Sequence, residues 1–280
     1  MLAYRHAFHV GNPADVLKHI VLVEVLDRMA SKDKGYLYVD THAGAGRYRL
    51  ADRMSQRLAE WRDGVGRLWG HEGAPPAVVA YLAQLEPFNR DGILRVYPGS
   101  PALAANMVRP QDRMCLFELH PTEYRALRAE MGTQSHIDLR PADGFVGLKS
   151  VLPPQTRRGV ILVDPPYELD ADYAKVVAAM RDAVTRFATG VYLVWYPRLQ
   201  SLESVGLPKR LKALAPGAWL HAQLTTAAPR PDGFGLMGSG MFVLNPPFGL
   251  REALEPAMAW LARELGQDGA GAFVLEGHQP

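Results

Sequence analysis

Five short runs of apolar or β-branched residues, at 36–40, 114–118, 137–139, 160–164 and 190–195, each stop at an acid or a turn and read as buried strands. Helical patterns lie between several of them: 121–131 follows the second run, 145–151 the third and 171–187 the fourth. Strand, helix and strand in succession require a parallel sheet with right-handed crossovers. Two more runs, 219–225 and 241–244, are joined by the Gly- and Pro-rich stretch 229–240 with no helix between, and predict an antiparallel hairpin at one sheet edge. Ahead of the first strand, Asn12 is placed to cap a helix and Pro13 suits its first position. Val16, Ile20, Val23 and Leu26 carry its apolar face, and Asp15, Lys18 and His19 share a polar face at its opening turns.

One interval breaks the pattern. A simple strand-to-strand step needs roughly 20 residues, yet 72 positions separate Gly46 from Glu118. The excess holds helical stretches at 53–69 and 76–85, and its first part is rich in arginine: Arg47, Arg49, Arg53, Arg57, Arg62 and Arg67. Ser100-Pro101 then reads as a fresh cap and first helical residue. The expected organisation is one α/β domain made of 1–46 and 99–280, with 47–98 inserted as a helical subdomain whose arginines are expected to meet phosphate.

Composition narrows the function classes. With 280 residues, 48% hydrophobic and 21% charged, the chain has enough apolar side chain for a sizeable core, which excludes disorder as its main state. Cys115 is the only cysteine, so no internal disulfide and no cysteine-based zinc site is expected, and a reducing, cytoplasmic setting follows. The opening residues form no signal-type apolar stretch, and the longest uncharged run, 233–250, is broken by Gly and Pro, so no membrane association is expected. A net charge of +2 gives no global field for a polyanion, although 24 of the 31 basic residues are Arg, whose planar fork suits phosphate contacts and stacking. The pair His6 and His9 lacks further ligands at metal spacing, so no metal is expected.

Four motifs carry chemistry. Asp40-Thr-His-Ala-Gly-Ala-Gly46 leaves a strand through Gly44 and Gly46, letting backbone approach a ligand at the carboxyl end of the sheet; the third glycine of a dinucleotide fingerprint is replaced by Arg49. Glu118 ends the second strand, where a carboxylate accepts ribose hydroxyls. Asp143-Gly144 follows the third, where an acid either meets an adenine amine or caps the next helix. Asp164-Pro-Pro-Tyr167 follows the fourth. Its prolines fix a carboxylate, the Pro165 carbonyl and an aromatic ring in one relation. Hydrogen bonds from the two N–H groups of a base amine to Asp164 and Pro165 favour a pyramidal, nucleophilic nitrogen, and Tyr167 is expected to stack the base. A second copy, Asn245-Pro-Pro-Phe248, follows the hairpin rather than a central strand and is expected to be structural.

The order of these motifs resembles class I methyltransferases that use S-adenosylmethionine on base amines. Tyr4-Arg-His-Ala-Phe-His-Val-Gly-Asn12, Asp15-Val-Leu-Lys-His19, Asp40 to Tyr48, Tyr97-Pro-Gly-Ser-Pro101, Glu118-Leu-His-Pro121, Trp195-Tyr-Pro197 and Ser239-Gly-Met241 go further and resemble the RlmJ family, which methylates an adenine N6 amine in 23S ribosomal RNA, over nearly the whole chain. That resemblance implies a Rossmann-like, seven-stranded, mostly parallel sheet with helices on both faces, and a monomer acting on free or partly assembled RNA. It implies cofactor contacts at His19, His42, Gly44, Ser100, Glu118, Asp143, Gly144 and Asp164, and a substrate-facing segment with Tyr4, His6 and Lys18. Catalysis falls to Asp164, Pro165 and Tyr167. A DNA adenine methyltransferase and a non-catalytic RNA-binding module are the alternatives, and an intact Asp164 speaks against the second.

Overall fold

The computed structural model describes residues 6–215, 217–233 and 235–278. Asn12 caps the first helix by accepting the Asp15 N–H at 2.9 Å, and α1 (Pro13–Ala30) leads into β1 (Leu37–Asp40). The segment 47–98 follows. It opens on β2 (Arg47–Arg49), continues through α2 (Arg53–Leu58), α3 (Val65–Leu68) and α4 (Pro76–Ala83), and closes on β3 (Val96–Pro98), which pairs antiparallel with β2. The chain then alternates: α5 (Ser100–Met107), β4 (Arg113–Phe117), α6 (Pro121–Met131), β5 (Ile137–Arg140), α7 (Gly144–Val151), β6 (Gly159–Val163), α8 (Asp170–Arg186), β7 (Val191–Arg198) and α9 (Leu202–Lys212). β8 (Trp219–Thr225), β9 (Gly238–Leu244), α10 (Leu250–Leu265) and β10 (Ala272–His278) complete it.

The main sheet runs β10-β8-β9-β7-β6-β1-β4-β5. The five strands from β5 to β7 are parallel, and β9, β8 and β10 add on antiparallel. Successive residues of β6 alternate between two cores. Val160 and Leu162 join the cluster under α1, α5 and α10, whereas Ile161 and Val163 join the one under α7, α8 and α9. A strand buried on both faces reads as a continuous apolar run, which is why β6 and β1 stand out in the sequence.

Three expectations change. The described sheet has eight strands, not seven, because β10 pairs with β8 along its whole length. The hairpin is antiparallel as expected but is not itself the edge, since β9 lies between β7 and β8, and β10 covers β8. The helical stretch expected at 53–69 is broken: Ala59 takes a left-handed φ of 51°, and Gly64 lies so close to the N-terminal turn that a Cβ there would meet the Gly11 carbonyl at 2.1 Å. Val65, Leu68, Val78 and Tyr81 of the 47–98 segment join the same apolar cluster as α1. α1 is therefore covered from both sides, and Asp15, Lys18 and His19 are buried along with its apolar residues.

Candidate active site

The carboxyl ends of β1, β4 and β6 open onto a cavity of about 360 Å³. His6, Lys18, His42, Gly44, Ser100, Glu118, Asp143, Gly144, Asp164 and Pro165 all line it, so most residues picked from sequence meet in one place.

The turn after β1 is built from backbone constraints. Gly44 has a φ of 63°, and a Cβ there would meet the Tyr48 hydroxyl at 2.4 Å. Its N–H donates to Glu118 Oε2 at 2.7 Å, and the His120 N–H donates to Oε1 at 2.6 Å. Two amides thus orient Glu118, whose carboxyl pKa is raised by burial, and each oxygen keeps a lone pair for a ligand hydroxyl. Asp143 is both cap and wall residue: Oδ1 accepts from the Phe145 and Val146 N–H groups at 2.8 and 3.2 Å, and Oδ2 has no partner among the described residues. Gly144 is needed where α7 meets β1, because a Cβ would lie 2.1 Å from the Thr41 carbonyl.

Ser100 differs from its expected capping role. Gly99 is the N-cap of α5, and the Ser100 hydroxyl donates instead to Asp40 Oδ2 at 2.7 Å. Asp40, fully buried, also accepts from the Tyr38 hydroxyl at 2.9 Å and the His42 N–H at 3.2 Å. Burial raises its pKa, and it locks β1, the glycine turn and α5 together. Burial lowers His42 to about 4, so its imidazole is neutral, edge-on to Phe145 at 4.9 Å.

Close ionisable contacts link three residues of the cavity wall, His6, Lys18 and Asp164, through buried Asp15. His6 Nε2 lies 2.9 Å from Asp15 Oδ2, Lys18 Nζ lies 2.7 Å from Asp15 Oδ1, and the same Nζ lies 2.6 Å from Asp164 Oδ2. Burial opposes the ammonium, but the two carboxylates outweigh it and raise the Lys18 pKa. Burial also opposes ionisation of Asp15, yet His6 and Lys18 hold its carboxyl well below the usual value. The sequence placed Asp15 and Lys18 on one helix face but carried no signal that Asp164, 146 residues away, completes the pair.

Two expected residues, His19 and Tyr167, stand elsewhere. His19 is fully buried and off the cavity wall; its Nδ1 lies 2.8 Å from the Tyr97 hydroxyl, its Nε2 has no partner among the described residues, and burial holds it neutral. Tyr167 does not present its ring to the cavity. With a φ of 49° it turns into the second core, packs on Tyr173 and Trp195 at 4.6 and 5.9 Å, and donates its hydroxyl to the Trp195 carbonyl at 2.7 Å. Tyr4 lies outside the described residues. Among the described residues no group of three or more His, Cys, Asp or Glu side chains is set to hold a metal, and no helix is long and apolar enough to cross a membrane.

The second Pro-Pro turn sits at the opposite sheet end, because β9 runs antiparallel to β7 and finishes where the parallel strands begin. Asn245 Nδ2 donates to the Ala188 and Gly190 carbonyls, both at 2.7 Å, and Phe248 is 96% exposed. Asn245→Ala removes both bonds and leaves alanine at a φ of 54°, at a cost of about 1–3 kcal/mol. A lower melting temperature with unchanged turnover per folded molecule is the expected outcome; loss of turnover in folded protein would move the active site to this turn.

A glycine turn after β1, an acid at the end of β4, another past β5 and an Asp-Pro-Pro turn after β6, on a β5-β4-β1-β6-β7 parallel core with helices on both faces, define a class I methyltransferase fold. Comparison with known proteins supplies the particular branch. A family model described as "Ribosomal RNA large subunit methyltransferase D, RlmJ" matches residues 33–276, and the chain belongs to this RlmJ family. It is 43% identical over 271 residues to ribosomal RNA large subunit methyltransferase J of Escherichia coli K12, covering 97% of this chain and 96% of that one. The Haemophilus influenzae protein of the same name is 41% identical over 277 residues, covering 99% and 98%. The crystal structure of protein LPL1258 from Legionella pneumophila superposes with a TM-score of 0.88 at 31% identity, covering 96% of this chain and 98% of that one.

Proposed function

We propose that the chain transfers a methyl group from S-adenosylmethionine to the N6 amine of an adenine in 23S ribosomal RNA. The observation that carries this reading is a single cavity in which the Asp164-Pro165 turn faces the same space as Glu118 and Asp143. The names of the two bacterial relatives point to large-subunit ribosomal RNA and do not favour DNA or a binding-only role.

The residues present fit the cofactor. Gly44 and Gly144 keep the wall free of side chain, Glu118 offers acceptors for ribose hydroxyls, and Asp143 Oδ2 is a spare acceptor for an adenine amine. When bound, S-adenosylmethionine supplies a methyl group on a cationic sulfur. Asp164 and the Pro165 carbonyl accept the N–H bonds of the target amine, and a preset pair of acceptors needs no rearrangement as positive charge grows on nitrogen. Lys18 holds the Asp164 carboxylate in place, which gives it a positioning task in addition to a contact with the RNA; His6 and Tyr4 complete the substrate-facing segment. The stacking role expected of Tyr167 is not assigned, since its ring and hydroxyl are engaged in the core. The enzyme acts as a cytoplasmic monomer on free or partly assembled RNA.

Methyl transfer from labelled cofactor, run in parallel on naked ribosomal RNA, assembled large subunits and DNA, tests this reading. Label in naked ribosomal RNA and none in DNA is expected; label in DNA alone, or in neither nucleic acid, overturns it.

A further inference from the structure

A second cavity, of about 240 Å³, opens at the same end of the sheet as the first. Arg198 at the carboxyl end of β7 pairs with Gly238 at the start of β9, and Thr225 at the end of β8 pairs with the same residue, so Thr226 and Ser239 sit at the sheet end where Glu118 and Asp164 sit. The opening turn of α1 is the shared wall. Asn12 and Ala14 line the second cavity and Lys18 the first, and Ala14 and Lys18 are one turn apart, a rise of about 6 Å.

The lining has unspent hydrogen-bonding capacity. Ser239 is 1% exposed, and its buried hydroxyl has no partner among the described residues. Thr226, also buried, and Gln267 line the same space; the Gln267 backbone N–H donates to the Thr226 carbonyl at 2.7 Å, which fixes their relation. Exposed Arg230 lines it too, as do the Glu60 carboxylate, held by His9 and Asn12, and the Asp63 carboxylate, paired with Arg67 at 2.9 Å. Neutral donors and acceptors beside one cation and two carboxylates suit a neutral polar heterocycle with its sugar better than a bare phosphate, which the carboxylates would repel. The volume is below the roughly 300–1,000 Å³ of sites for larger organic ligands and suits one small unit.

We propose that this cavity is a subsite for a second nucleoside of the RNA, a neighbour of the methylated adenine, recognised through Thr226, Ser239, Gln267 and Arg230. The proposal rests on the RNA-methyltransferase reading above. It implies that one position flanking the target contributes to binding through its base, whereas the chemical step is set in the first cavity.

The test uses the full chain and a ribosomal RNA fragment carrying the target adenine. Ala228, exposed on the loop that lines the cavity, is replaced in Ala228→Trp to fill the space from its rim, and Gln267→Ala removes an amide without altering the core. For wild type, scanning an abasic nucleotide through the flanking positions is expected to raise KM at least tenfold at one position, with kcat within twofold. Both variants are expected to raise KM on the intact fragment by a similar factor and to lose that positional effect. Filter binding of the same fragment separates the subsite from the catalytic reading. No methyl transfer, with binding that Ala228→Trp weakens, keeps the subsite and rejects the reaction. Wild-type KM and wild-type binding in both variants overturn the subsite.

Discussion

Asp164→Ala is expected to lower turnover at least 100-fold while leaving the protein folded. The carboxylate is a preset acceptor for the reacting amine, and losing one such group from a site built for charge development costs about 2.7–4 kcal/mol of barrier. The fold persists because Lys18 keeps its 2.7 Å contact with Asp15 when Asp164 is gone. Initial rates at saturating cofactor and RNA, with a melting curve on the same sample, read both halves. Retention of more than a tenth of wild-type turnover would remove Asp164 from the chemistry.

Lys18→Met has the largest expected effect on stability. The ammonium is buried between two carboxylates, with side-chain exposures of 5% for Lys18, 3% for Asp15 and 15% for Asp164. Removing it leaves, among the described residues, Asp15 facing His6 and the Gly11 N–H and Asp164 without its ion-pair partner, at a cost of about 3–5 kcal/mol. The pH dependence weakens. In wild type the lowered Asp15 pKa contributes stability above its ordinary value of 3.8, and this is lost as pH falls through the folded value beneath it. In Lys18→Met, His6 and the Gly11 N–H are left to oppose the desolvation of Asp15, so less of that stability is present above the ordinary value. Denaturant midpoints from about pH 2 to about pH 6 separate the two cases. A variant whose midpoint rises with pH as steeply as wild type would show that Lys18 does not compensate these charges.

The parallel core was legible because β1, β4 and β6 are buried on both faces and carry unbroken apolar runs. What escaped notice lacks that signature. β10 is an edge strand with Phe273 and Val274 partly exposed and no alternation. α9 and α10 carry Pro208 and Pro256 in their interiors, residues that argue against a helix in sequence. β2 and β3 are three residues each and exist only because they pair with each other at the two ends of the 47–98 segment. The site was legible where chemistry coincides with a strand end, as at Gly44, Glu118, Asp143 and Asp164. It was less so where tertiary packing decides. His19 faces Tyr97, and Tyr167 follows its left-handed backbone into the core. Both residue types fit the motif; only the packing around them says which way they turn.

The central claim is the identity of the methylated atom. Large-subunit ribosomal RNA treated with the enzyme and labelled cofactor, digested to nucleosides and resolved by mass spectrometry, gives the product directly. The account predicts N6-methyladenosine at about one per 23S molecule with wild type and none with Asp164→Ala. Label on a ribose, on a ring nitrogen or on a base other than adenine would contradict it.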